Sequence, residues 1–266
     1  MTRIDKRFAE LKKSGTKGFV AYVTAGDPTL DDTMDIVLRL VDVGVDVIEL
    51  GIPFSDPLAD GRVNQESANR ALDSGTTPVG VLDMIARLRE QTDIPIMCYT
   101  YLNPYHAVGY AKMIKRTAES GVDGLLFLDM PVEESRELNV LMKANRINNI
   151  TLVTPTSPER RIKAIVEHAS GFVYCVSRAG VTGMQKTLSE GAAELVRLTR
   201  KHVNLPVALG FGVSTPELAA ASARAADAVV VGSAIVNQFH QAGTSPKGRK
   251  AAAAWVGKMV AAVKEI

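Results

Sequence analysis

Cysteine is nearly absent from this chain, and the two present, Cys98 and Cys175, stand far apart. Each lies inside an apolar run, Ile96-Met97-Cys98-Tyr99 and Val173-Tyr174-Cys175-Val176. Two isolated thiols make neither a disulfide scaffold nor a zinc cluster, and buried cysteine behaves as a small hydrophobe. That usage suits a reducing compartment. An excess of one charge is lacking too: 31 Lys and Arg meet 29 Asp and Glu, leaving +2. Such a balance supplies no global field for nucleic acid or anionic lipid. The densest basic cluster, Lys12, Lys13 and Lys17, has no interleaved aromatic residue and reads as the solvated end of a first helix. No window approaches the roughly 18 apolar residues of a membrane-spanning helix. The opening Met1-Thr2-Arg3-Ile4-Asp5-Lys6-Arg7-Phe8 carries no apolar stretch of the export-signal kind, so a cytoplasmic location is expected.

What is abundant is aliphatic. Hydrophobic residues make up 46% of the 266, although aromatics are only 5%. Short β-branched runs at Gly18–Thr24, Val47–Gly51, Pro95–Thr100, Gly124–Asp129, Ile150–Thr154, Phe172–Ser177, Pro206–Gly210 and Ala228–Gly232 predict eight strands. Helix-period segments fall between them: Thr33–Val43, Val79–Gln91, Tyr110–Ser120, Glu133–Ala144, Pro158–Ala169, Ala192–His202 and Pro216–Arg224. The strand runs read as continuously apolar rather than alternating, as when both faces of a parallel sheet are covered. Gly44-Val45-Asp46, Gly121-Val122-Asp123 and Ala225-Ala226-Asp227 repeat one helix-to-strand junction. Eight units at about 33 residues each match the size of one βα element. A doubly wound sheet is the competitor, but Thr24-Ala25-Gly26-Asp27-Pro28 lacks its G-x-G-x-x-G turn. The expected fold is therefore α/β: one (β/α)₈ barrel domain over residues 1–266. Met1–Ser14 adds a helix to plug the lower face, Ser233–His240 a short helix after strand eight, and Lys247–Ile266 a final one.

Active sites of such barrels lie at the C-terminal ends of the strands. Those ends are Thr24, Glu49, Thr100-Tyr101, Asp129, Thr154, Ser177-Arg178, Gly210-Phe211-Gly212 and Gly232-Ser233. No lysine is among them, so a Schiff-base mechanism lacks its amine. No histidine is either; His106, His168, His202 and His240 fall in loops or helices, and a zinc site would need imidazoles there. The remaining proton-transfer groups are Glu49, Asp60 and Asp129. Glu49 is a lone charge in an apolar strand, either paired or neutralised by a raised pKa. Asp60 ends a loop longer than the usual two to six residues, and such loops tend to be functional. It is equally a candidate cap for a helix starting near Arg62, while Asp56 reads as a turn former. Gly210-Phe211-Gly212, Gly232-Ser233 and Val181-Thr182-Gly183 offer backbone N–H groups and a helix N-terminus, which together predict a phosphate site.

At this point the residues resemble a family. Phe19–Pro28, Ile48–Gly61, Asp129–Glu134, Ser177–Gly183 and Gly210–Ser214 together look like the α subunits of tryptophan synthase, and the likeness spans the whole chain. It implies retro-aldol cleavage of indole-3-glycerol phosphate to indole and glyceraldehyde 3-phosphate. No cofactor is implied in this chain; pyridoxal phosphate is expected only in a β-subunit partner, within an α2β2 assembly. Glu49 is implied as the acid/base and Asp60 as partner of the indole N–H. Tyr22, Tyr101, Asp129, Tyr174, Thr182 and Phe211 would surround the substrate, with Tyr22 and Phe211 as apolar walls or plain core. Gly183, Gly212, Gly232 and Ser233 would hold the phosphate. Arg178–Leu188 would be a closing loop, although Met184-Gln185-Lys186 departs from the usual continuation. The loops Pro53–Leu58 and Asn103–His106, proline-rich and part apolar, are expected to meet the β subunit. A stand-alone lyase and a non-catalytic, phosphate-binding regulatory barrel stay open beside this reading.

Overall fold

A parallel sheet buried on both faces must be covered by its own crossover helices, and the chain alternates accordingly. The computed structural model describes residues 1–176, 190–210 and 212–266. Among them the strands are β1 (Gly18–Thr24), β2 (Val47–Gly51), β3 (Ile96–Thr100), β4 (Gly124–Phe127), β5 (Asn148–Asn149), β6 (Thr151–Val153), β7 (Val173–Val176), β8 (Val207–Gly210) and β9 (Ala228–Val231). The helices are α1 (Arg3–Ser14), α2 (Leu30–Asp42), α3 (Arg62–Asp73), α4 (Pro78–Leu88), α5 (Leu102–Val108), α6 (Tyr110–Glu119), α7 (Arg136–Ala144), α8 (Glu159–Val166), α9 (Glu190–Arg200), α10 (Pro216–Ala225), α11 (Ser233–Ala242) and α12 (Pro246–Lys264). None is long and apolar enough to cross a membrane.

All strand pairs are parallel, in the order β5-β4-β3-β2-β1-β9-β8-β7-β6. The two outermost strands are consecutive pieces of chain separated only by Ile150. That stretch pairs with β4 through its first half and with β7 through its second. The sheet thus comes round on itself as the expected barrel, with the fifth strand broken in two.

Side chains alternate across the wall. Val20, Val47, Met97, Leu126, Phe172, Ala208, Ala228 and Val230 fill the lumen together with Ile4, Phe8 and Leu11 of α1. Phe8 stacks at 5.3 Å on Phe172. Helix α1 is set by a capping box between Thr2 and Asp5 and ends at left-handed Gly15. It closes the N-terminal end of the barrel, as expected. The outward residues, such as Phe19, Ile48, Leu50, Cys98 and Leu125, pack under the helices.

The repeated junction is a clamp. Asp46, Asp123 and Asp227 each stand just before a strand and accept the N–H of a residue entering the preceding one: Phe19 (2.6 Å), Ile96 (3.0 Å) and Val207 (2.9 Å). Cations complete them: Arg7 and Lys264 at Asp46, Arg3 and Arg89 at Asp123, Arg200 at Asp227. Gly44 and Gly121 supply the positive φ (87° and 88°) that turns each helix end toward its strand.

Three expectations need correction. Asn103–His106 is not a loop but part of α5. Pro104 falls in its first turn, where a missing N–H costs nothing, and Tyr105 is fully buried with its hydroxyl on Thr117 (3.0 Å). Strand β4 stops at Phe127, so Asp129 lies in the following turn. The segment beginning at Glu133 opens as a 3₁₀ turn, Val132–Glu134, before α7.

Candidate active site

The lumen is apolar at its plugged end and acidic at the other. Strand alternation turns Glu49 inward between Tyr22 of β1 and Met97 of β3. It is only 2% exposed, and its Oε1 has no hydrogen-bond partner among the described residues. Burial, and next the charge of Asp60, push its carboxyl up to about 8. A glutamate at this depth therefore keeps its proton at neutral pH.

Asp60 is buried as well, but its oxygens are engaged. Tyr99 Oη donates to Oδ1 and Tyr101 Oη to Oδ2, both at 2.8 Å, while Asn64 Nδ2 stands 3.5 Å from Oδ1. Burial raises the Asp60 pKa, and the bonds from Tyr101, Tyr99 and Asn64 pull the other way. Asp60 is not a helix cap: Gly61 holds that position on α3, without a side-chain bond. Tyr101 also accepts the Ala59 N–H at 3.1 Å, which ties the long loop to β3. Asp56 is exposed and accepts from Ser55, as a turn former would.

Aromatic walls stand around the two acids. Tyr22 is buried and meets Tyr99 edge-on, with centroids 5.2 Å apart. Burial pushes its phenol well up, as does the charge of Asp60. Gly51 makes room for it: a Cβ there would lie 2.2 Å from Tyr22 Oη. Tyr174 points inward from β7, its phenol raised first by burial and then by Glu49. Gly210 yields space to Tyr174 in the same way, since a Cβ there would come within 2.7 Å of Oη.

Gly232 lies against Tyr22 and caps α11 by backbone alone, with Ser233 opening the helix. Gly212 has φ +79°, a left-handed position that suits glycine. Asp129 is exposed and accepts the Leu102 N–H (2.8 Å) at the start of α5. Thr182, Gly183, Phe211 and the loop 178–188 lie outside the described residues. The structure thus brings Glu49, Asp60, Tyr22, Tyr101, Tyr174 and Gly232 to one end of the barrel. Tyr99 and Asn64 were not foreseen. The alternation Met97, Tyr99, Tyr101 on one strand face was the available signal for Tyr99; Asn64 shows only once α3 is placed.

A family model described as "Tryptophan synthase alpha chain" matches residues 8–264. The chain belongs to that family. It is 46% identical over 239 residues to the tryptophan synthase alpha chain of Caldanaerobacter subterraneus subsp. tengcongensis, covering 90% of this chain and 91% of the relative. It is 43% identical over 265 residues to that of Opitutus terrae, covering 99% and 100%. The crystal structure of tryptophan synthase subunit alpha from Legionella pneumophila superposes with a TM-score of 0.91 at 33% identity, over the full length of both chains. This is an enzyme subunit with a β-subunit partner. The family's role is to cleave indole-3-glycerol phosphate and pass the indole on.

Proposed function

We propose that this chain is a carbon–carbon lyase in which Glu49 is the acid/base and Asp60 the acceptor of the indole N–H. The carrying observation is the contrast between two neighbouring buried acids: Glu49, whose Oε1 has no hydrogen-bond partner among the described residues and whose carboxyl is pushed up to about 8, and Asp60, bonded by phenols. Glu49 delivers its proton to indole C3. The ring nitrogen becomes an iminium N–H, whose positive charge the Asp60 carboxylate stabilises in a site largely shielded from water. Glu49, now a carboxylate, takes the proton from the hydroxyl on the carbon attached to C3. The carbon–carbon bond then breaks, its electron pair returns to the ring, and indole and glyceraldehyde 3-phosphate result with Glu49 reprotonated.

Tyr22 and Tyr174 wall the substrate, with Tyr101 holding Asp60 and Asp129 at the rim. The phosphate sits at the N-terminus of α11, on Gly232 and Ser233 with Gly212, where backbone N–H groups and the helix dipole favour an anion. Thr182, Gly183 and Phe211 complete the set on this reading. The chain itself needs no cofactor; pyridoxal phosphate belongs to the β subunit, in an α2β2 assembly in the cytoplasm.

The exposed segment Ser55–Leu58, with Leu58 93% exposed, and the outer face of α5 are the docking surface. Asp56→Ala should weaken mutual activation of the mixed subunits, and unchanged activation would remove Asp56 from that role. The central test is indole release from indole-3-glycerol phosphate by the purified chain, alone and with a β subunit, beside Glu49→Gln. Weak release that the partner raises and the substitution abolishes supports the assignment. No release in either condition overturns it.

A further inference from the structure

Both oxygens of Asp60 are held by phenols, one in β3 (Tyr99) and one just past its end (Tyr101), and the two do different things. Tyr101 bonds Oδ2 and also the Ala59 N–H, so it fixes where the loop and its carboxylate sit. Tyr99 reaches across from the lumen face of β3 to Oδ1. Its ring is braced edge-on against Tyr22 at 75°, so the hydroxyl arrives from a fixed direction. A carboxylate held at one oxygen still turns about its Cβ–Cγ bond; a second bond sets its plane. Asn64, at 3.5 Å from Oδ1, is too long to do this. The lone pairs left over are the ones a ligand donor meets, because a carboxylate has about four acceptor positions.

Resting on the reading of Asp60 as acceptor of the indole N–H, we propose that Tyr99 is a positioning residue: it turns the Asp60 carboxylate so that a free lone pair faces the ring N–H, and thereby sets the site's preference for rings that carry this donor. Without Tyr99 Oη the carboxylate stays in place through Tyr101 but samples other planes, so the N–H bond is made less often.

The test is calorimetric binding of two non-cleavable ligands to the full chain. One is indole carrying a propyl phosphate at C3, with no hydroxyls to react. The other is its benzofuran counterpart, with oxygen in place of the N–H. The wild type should prefer the indole ligand by about tenfold or more, as for a hydrogen bond to a charged acceptor. Tyr99→Phe should lose most of that preference by weakening the indole ligand alone, with benzofuran affinity unchanged within about twofold. Tyr105→Phe, which removes a buried phenol from the outer core, should behave as wild type. The preference should also vanish on acidification at a higher pH in Tyr99→Phe, since a phenol bond favouring the ionised carboxylate is gone; a packing role would move no midpoint. Equal weakening of both ligands, or an intact preference, overturns the role of Tyr99. Absence of any preference in the wild type overturns instead the assignment of Asp60 and takes this inference with it.

Discussion

Glu49 should make the protein less stable than it would be without it, and the effect should depend on pH in a defined way. In an unfolded chain this carboxyl titrates at its ordinary value of 4.5, whereas in the barrel it holds its proton to about 8. Below pH 4.5 both states are protonated and nothing is lost. Between 4.5 and about 8 only the unfolded state releases the proton, so stability falls by about 1.4 kcal/mol per pH unit. At pH 7 the loss is about 3 kcal/mol, and above pH 8 it levels off near 5 kcal/mol. A domain has only about 5–15 kcal/mol in total, so the effect is large enough to measure. Glu49→Gln is nearly isosteric and neutral at every pH. Urea unfolding of both proteins at pH 5, 6, 7, 8 and 9 isolates the Glu49 contribution, because the other titrating groups are common to both. The gap in favour of the variant should widen steadily from pH 5 to 8 and then stay constant. A gap that does not change with pH would mean that Glu49 titrates normally, and the case for it as a general acid would fall with that result. Activity should be lost in the same variant, the trade between stability and a strained functional group.

Asp60→Asn removes the second cause of the raised Glu49 pKa, so the alkaline limb of whatever activity remains should move below about 8; a limb that does not move separates the two acids electrostatically. Gly51→Ala puts a methyl 2.2 Å from Tyr22 Oη and should cost about 1–3 kcal/mol in denaturant titration along with most of the activity. Asp123→Ala strips Arg89, whose side chain is only 10% exposed, of its ion pair and leaves the Ile96 N–H unpaired; about 3–5 kcal/mol should be lost with turnover per folded molecule unchanged.

The strands were legible because a buried parallel sheet forces continuous apolar runs, and Glu49 showed as a lone charge in the middle of one of them. The plugging helix expected over Met1–Ser14 and the Asp junctions were likewise legible from local pattern. What was not legible depended on partners distant in sequence. Nothing near Asn148 and Asn149 announces that β5 and β6 will split, since the break follows from pairing with β4 on one side and β7 on the other. Helix α5 was concealed by Pro104, which is a breaker in the middle of a helix and harmless in its first turn. Whether Asp60 caps the following helix was open until Gly61 was seen to hold that position and Tyr99 and Tyr101 to take the Asp60 oxygens.

The two ends of the barrel use one residue type to opposite effect. At the plugged end Asp46, Asp123 and Asp227 each meet a backbone N–H and at least one Arg or Lys, so their charges are compensated and the strands are pinned. At the open end Asp60 is buried on neutral phenols and an amide, and no Lys or Arg among the described residues forms an ion pair with it. A buried carboxylate without a cation is costly unless something else supplies the charge. In the proposed reaction the substrate does so, because protonation at C3 places a positive charge on the ring nitrogen that Asp60 faces. The resting site is then incomplete in the respect that the transition state completes, and binding energy withheld from the ground state is released at the step that needs it.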